Sequence, residues 1–293
     1  MTLPRFQYHE PGSLSEACRA LREQGQQAAL LAGGTDLLVK MRSRNRLPAD
    51  LVSLSAVDGM QDIVRQGDTL VIGACCTASQ MAQSEAIRAA FPALASAAEH
   101  IGSPAVRNLG TLGGNIMTAS PAADLPPALM AYQARVRLQS ADGERFLALD
   151  EVFRNPGATN LAADEILAEV HLDLPPEQSA ARFFKLGTRN ALQISIVNGA
   201  CFLALDPHSG KIEQARIALG AVAPTHVRAV CAENILRGEL PGPALCDQAG
   251  RKAVSDCSPI DDLRGSAAYR KDMVHMLTKR TLQAVLDDIN AVP

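Results

Sequence analysis

Residues 28–44 constrain the fold more than any other stretch of the chain. A short apolar run over 28–32 ends in Gly33-Gly34-Thr35-Asp36, and Leu37, Leu38 and Met41 then recur at helical spacing. A buried strand, a tight turn and a helix therefore follow one another, with glycines at the joint. Upstream, Ser13-Leu-Ser-Glu16 has the form of a capping box, and Leu14, Ala17, Cys18 and Leu21 continue as one helical face that Gly25 stops. A strand over 50–54 closes a small α/β unit. At the glycine joint, positive φ and close backbone approach would let successive N–H groups point at one anion, with Thr35 adding a hydroxyl. A plain strand–helix turn capped by Asp36 explains the same residues.

Beyond residue 55 the pattern changes. Segments 62–66 and 69–74, joined at Gly67-Asp68, predict a hairpin, and alanine-rich stretches over 78–90 and 92–101 predict helices. Residues 102–121 are rich in Gly, Ser, Thr and Asn and read as irregular. They hold Thr111-Leu-Gly-Gly-Asn115 and lead into Ser120-Pro-Ala-Ala-Asp124. This segment is either a surface loop or a second backbone cradle, with Asp124 accepting from sugar hydroxyls. A helix over 122–132 and a hairpin around Asp142-Gly143 follow. The break at Pro175-Pro176 predicts a boundary between a first domain, 1–176 (lobes about 1–55 and 56–176), and a second, 177–293. The second domain reads as an antiparallel meander over 182–187, 194–205 and 211–219, then helices from about 229, 243 and 265.

Composition narrows the function. With 28 basic and 31 acidic side chains and 3% aromatic residues, the chain lacks the basic stripe and stacking platforms of a nucleic-acid binder. Its longest strongly apolar stretch, 194–205, is interrupted by Asn198 and Gly199 and is too short to span a bilayer. No signal-peptide pattern opens the sequence. Seven scattered cysteines, with Cys75 and Cys76 adjacent on opposite faces of a strand, suit a reducing, cytoplasmic setting and draw no disulfide, zinc or iron–sulfur framework. No Gly-x-Gly-x-x-Gly follows the first strand, and neither a P-loop nor a Gly-x-Ser-x-Gly elbow occurs. The six histidines read as surface or satisfied core, and no catalytic or metal-binding residues are expected. A protein without an acid–base or nucleophilic set suits the task of holding a redox cofactor.

Six segments then carry a resemblance: 32–36, 107–115, 120–124, Asp164-Glu-Ile-Leu167, Phe183-Phe-Lys-Leu-Gly-Thr-Arg189 and Gly220-Ala-Val-Ala-Pro-Thr225. In this order, over essentially the whole chain, they resemble the FAD-binding (medium) subunit of molybdenum hydroxylases, the carbon monoxide dehydrogenase and xanthine dehydrogenase type. The resemblance implies an α+β fold: a two-lobed FAD-binding domain of the vanillyl-alcohol-oxidase type, then a small α+β domain with an antiparallel sheet. It implies that Leu31, Ala32, Gly33, Gly34, Thr35, Asp36 and Leu37, with Thr111, Gly113, Gly114 and Asn115, wrap the pyrophosphate and ribityl chain. Asp124 would contact FAD hydroxyls, Leu167 and Lys185 would approach the flavin side, and Ile101 stands at a contact position that is aromatic in eukaryotic relatives. Thr35-Asp36 replaces the His-Ser of many relatives, and Gln193 stands where an acidic residue is common.

The implied protein is an oxidoreductase subunit with non-covalent FAD, receiving electrons from [2Fe–2S] clusters and passing them to an external acceptor such as NAD. Molybdopterin would sit on a large partner subunit and the clusters on a small one, in a dimer of heterotrimers. A self-contained flavin oxidoreductase of the same superfamily, or a scaffold subunit without FAD, are the alternatives.

Overall fold

The computed structural model describes residues 2–189 and 192–291. The first lobe is built from β1 (Gln7–His9), α1 (Leu14–Gln24), β2 (Ala28–Leu31), α2 (Leu37–Arg42) and β3 (Asp50–Ser53). Its strands form a parallel sheet in the order β1-β3-β2. Ser13 caps α1 by accepting from the Glu16 N–H at 3.3 Å, while Glu16 turns back to Gly12 N at 2.9 Å and not to Ser13. Gly25 ends the helix at φ 60°, a conformation that favours glycine.

The second lobe begins with the expected hairpin, β4 (Ile63–Gln66) and β5 (Thr69–Gly73), then α3 (Ala78–Gln83), α4 (Glu85–Ala90) and α5 (Pro92–Glu99). The helix expected over 78–90 is two helices. Ser84 is extended at ψ 120°, ending α3 while its hydroxyl caps α4 through Ile87 N. Cys75 and Cys76 lie past β5 in a turn and not in a strand, and both are buried. The segment read as irregular, 102–121, contains α6 (Pro104–Arg107) and α7 (Leu112–Met117), started by Ser103 and Thr111 hydroxyls. Ser and Thr satisfy the first free N–H groups of a helix, so polar residues here open helices that have little apolar periodicity. The lobe continues through α8 (Leu125–Ala131), β6 (Arg135–Gln139), β7 (Glu144–Ala148), α9 (Leu149–Val152), β8 (Phe153–Asn155), β9 (Ala158–Thr159) and β10 (Ile166–Asp173). Its sheet has the order β4-β5-β10-β6-β7, so β10 is inserted antiparallel between two hairpins.

After residue 176 come β11 (Ser179–Leu186), β12 (Val197–Leu205), β13 (Ile212–Gly220) and β14 (Val227–Arg228), then α10 (Val230–Leu236), α11 (Pro243–Ala253) and α12 (Ala267–Ala291). The antiparallel sheet runs β11-β12-β13-β14 and is covered on one face by helices, with Leu203, Ile217, Leu219, Val274 and Leu282 fully buried between them. Its other face contributes Ala200, Phe202 and Ala218 to the core of the second lobe. Alternate residues of a strand point to opposite faces, so β12 serves both cores at once.

Candidate functional site

A cleft of about 390 Å³ separates the two lobes. The first lobe supplies its wall from the β2–α2 joint, and the second from Ala74, Cys75, Ile101, α7 and the chain between β8 and β10. Ala32, Gly33, Gly34, Thr35, Asp36 and Leu37 line it, as do Ile101, Thr111, Gly113, Gly114, Asn115 and Leu167. Leu31 is not in the wall; it lies behind, with its side chain 3.2 Å from where a β-carbon on Gly34 would stand.

The glycines have different physical tasks. Gly34 adopts φ +70°, the left-handed conformation that reverses the chain between β2 and α2. Gly33 lets the two lobes touch, because a β-carbon there would lie 1.7 Å from the Leu109 carbonyl oxygen. Gly113 packs against the end of β5, donating its N–H to Ala74 O at 2.7 Å. Gly114 is helical and donates to the capping hydroxyl of Thr111 at 3.1 Å; its missing side chain faces nothing else within 4 Å. Asp36 stands at the N-cap of α2 but its carboxylate makes no capping bond.

Among the described residues, the N–H groups of Gly33, Gly34, Thr35, Asp36 and Leu37 donate to no protein acceptor. Five adjacent free donors at a glycine turn can together hold an anion, since such groups are costly to leave unpaired once a ligand excludes water. Ile101, Leu167, Leu161, Leu21 and Leu54 add apolar surface to the same cleft. A polar turn beside apolar walls fits a ligand with a charged middle and flat, apolar ends.

Asp124 and Lys185 are placed elsewhere. They form an ion pair of 2.6 Å outside the cleft wall, with side chains only 10% and 2% exposed. The other Asp124 oxygen accepts from Ser195 Oγ and Asn198 Nδ2, each at 3.0 Å, and Lys185 also donates to His100 O at 3.0 Å. All the side chains on Asp124 therefore come from the segment beyond residue 176. Beside this network His226 is buried, bonded through Nε2 to Ala123 O at 3.3 Å, with Nδ1 unpartnered. Burial lowers its pKa from 6.5 to about 4, so it is a neutral, incompletely satisfied core histidine. Gln193 accepts from Arg189 N at 2.9 Å.

Several wall residues were not apparent from the sequence. Gly157, Thr159 and Leu161 reach the cleft because β8 and β9 fold back against α9, and Lys40 and Arg46 border it from the first lobe. Cys75 also lines it, its thiol pushed up to about 11 by burial. Glu165 is held as a carboxylate by Arg145 at 2.6 Å, which lowers its pKa. Among the described residues no cluster of His, Cys, Asp and Glu could hold a metal, and no helix is long and apolar enough to cross a membrane.

A two-lobed α+β domain with a glycine-lined cleft, followed by a helix-backed antiparallel sheet, is the architecture of a flavin-binding oxidoreductase subunit. Residues 4–175 match the family described as "FAD binding domain in molybdopterin dehydrogenase", and residues 182–285 match "CO dehydrogenase flavoprotein C-terminal domain". The chain belongs to this family of FAD-binding medium subunits of molybdenum hydroxylases. It is 32% identical to the carbon monoxide dehydrogenase medium chain of Hydrogenophaga pseudoflava, over 97% of this chain and 98% of that one. It is 30% identical to the xanthine dehydrogenase FAD-binding subunit of Escherichia coli O157:H7, over 94% of each. A solved carbon monoxide dehydrogenase from Hydrogenophaga pseudoflava, lacking the Mo-pyranopterin moiety of its cofactor, superposes with a TM-score of 0.92 at 33% identity, covering 98% and 99% of the two chains.

Proposed function

We propose that this chain is an electron relay: it accepts electrons from [2Fe–2S] clusters on a small partner subunit and passes them to an external acceptor such as NAD. A large partner would carry molybdopterin and oxidise the substrate, in a cytoplasmic dimer of heterotrimers. Residues 1–176 would bind FAD and 177–293 would form the C-terminal domain. The relatives named above act on different substrates, carbon monoxide and xanthine, so the substrate belongs to the complex and not to this fold.

The observation that carries the reading is the run of unpaired N–H groups from Gly33 to Leu37, facing the second glycine segment across one cleft. Those groups, with Thr35 and Asn115, would hold the diphosphate and ribityl chain non-covalently. Ile101 and Leu167 would pack a flat ring. Bound there, FAD supplies the one- and two-electron chemistry that side chains lack. Asp124 and Lys185 would act from behind the cleft, fixing the C-terminal sheet against the wall on which the cofactor lies.

The test is an absorbance spectrum of the purified chain, followed by turnover assays. The isolated chain should carry flavin yet oxidise neither aldehydes nor heteroaromatic compounds. Its flavin should become reducible by substrate when iron–sulfur and molybdopterin subunits co-purify. Robust substrate oxidation by the homogeneous chain would replace the relay with a self-contained oxidase.

A further inference from the structure

We propose that Lys40 and Arg46 form a cationic rim on the cleft that captures the diphosphate of the dinucleotide by charge. This rests on the FAD reading above. Both residues line the cleft on the side of the 33–36 turn. They lie six positions apart, yet the backbone brings them together. After α2 ends at Arg42, Arg44 takes φ +61°, and the chain curls back so that Asn45 N and Arg46 N both donate to Lys40 O, at 2.9 and 3.3 Å. A left-handed arginine is unfavourable, and the surrounding fold must hold it in place. Here it returns Arg46 to the cleft beside Lys40.

Neither cation has a carboxylate partner among the described residues, so both are free to meet an anionic ligand. Asp36, one helical turn before Lys40, makes no ion pair with it. Glu165, the other carboxylate in the cleft wall, is taken by Arg145. The chain as a whole carries a net charge of −3 and would repel an anion. Against Asp36, the one unpaired carboxylate in the wall among the described residues, the two cations and five free N–H donors leave the local balance positive, drawing the ligand in and steadying its charged middle. The rim would thus discriminate a dinucleotide flavin from an uncharged one.

The test uses the full chain stripped of flavin and titrated with FAD and with riboflavin, at about 20 mM and about 500 mM salt, which spans strong and weak screening. Lys40→Gln/Arg46→Gln should bind FAD about tenfold more weakly at low salt, as expected for two partly exposed charge contacts. The deficit should shrink to about twofold or less at high salt, and riboflavin affinity should not change. Lys40→Arg alone, which keeps the charge, should bind FAD as the unmodified chain does, and Arg88→Gln, on the solvent side of α4, should have no effect. A merely structural role would weaken both flavins at both salts. The rim is overturned if the double variant keeps wild-type FAD affinity and salt dependence, or loses FAD and riboflavin alike. Failure of the unmodified chain to bind FAD would overturn the functional reading and the rim together.

Discussion

The carbonyl oxygen of Leu109 occupies the place that a β-carbon on Gly33 would need, 1.7 Å away. The same relationship does not hold at Gly114, where an added β-carbon meets only the Thr111 hydroxyl, at 2.9 Å. Backbone cannot step aside as a hydroxyl can. Gly33→Ala should therefore part the lobes and lose both FAD and several degrees of thermal stability. Gly114→Ala should fold and lose FAD preferentially, by disturbing the Thr111 cap at the cleft wall. Paired melting curves and flavin-to-protein ratios check the contrast, and equal melting temperatures for the two variants would refute it.

A second expectation concerns the Asp124–Lys185 pair. Removing one partner of a buried ion pair strands the other, typically at about 3–5 kcal/mol. Asp124→Ala should destabilise by this order, since Lys185 Nζ would keep only His100 O as acceptor. Asp124→Ala combined with Lys185→Met should recover part of the loss. Urea unfolding of the single and double variants measures the coupling, and additive losses would show that the pair contributes nothing jointly.

The pH dependence follows from His226. Burial depresses its pKa from 6.5 to about 4, so between these values the unfolded chain binds the proton and the folded one does not. Stability is then full above about pH 6.5 and falls as pH drops toward 4, by a total of about 3 kcal/mol. His226→Gln should lower stability at pH 7 yet flatten the slope between pH 6.5 and 4. Thermal melts across that range decide the matter, and an unchanged slope would point to other groups.

A fourth expectation is that acid precipitation releases all the flavin into the supernatant. Among the described residues, Cys75 is the only cysteine in the cleft wall, and no histidine lines it. Its thiol is pushed up to about 11, so the nucleophilic thiolate is scarce near neutrality. Flavin fluorescence remaining with the pellet would mean covalent attachment.

Much of this architecture is legible where short-range chemistry decides it. Gly67-Asp68 and Asp142-Gly143 mark their hairpins, and Gly33-Gly34 marks the strand–helix joint, because turn geometry depends on adjacent residues. The helices α6 and α7 carry little sequence signal because their starts are set by single hydroxyls, Ser103 and Thr111, in a segment without periodic apolar residues. β10 has no local signature, because its first three residues are all buried and its partners, 69–73 and 135–139, lie far away in sequence. The cleft divided in the same way. Its glycine turns are written locally, whereas Cys75 and Gly157 join it only through tertiary packing. The pairing of Asp124 with Lys185 across 61 positions carries no local signal.

The insertion of β10 between β5 and β6 also sets the order in which a growing chain can fold. Both flanking hairpins are synthesised before residues 166–173, and until then each presents an open strand edge to whatever is nearby. A nascent chain that has emerged from the tunnel to a point between about residue 148 and residue 166 would hold two sticky half-sheets with no strand to join them. Long-range closures of this kind are slow and vulnerable to aggregation. Truncations ending before Ile166 should accumulate as inclusion bodies, and chaperone demand during synthesis should peak just before that residue leaves the exit tunnel.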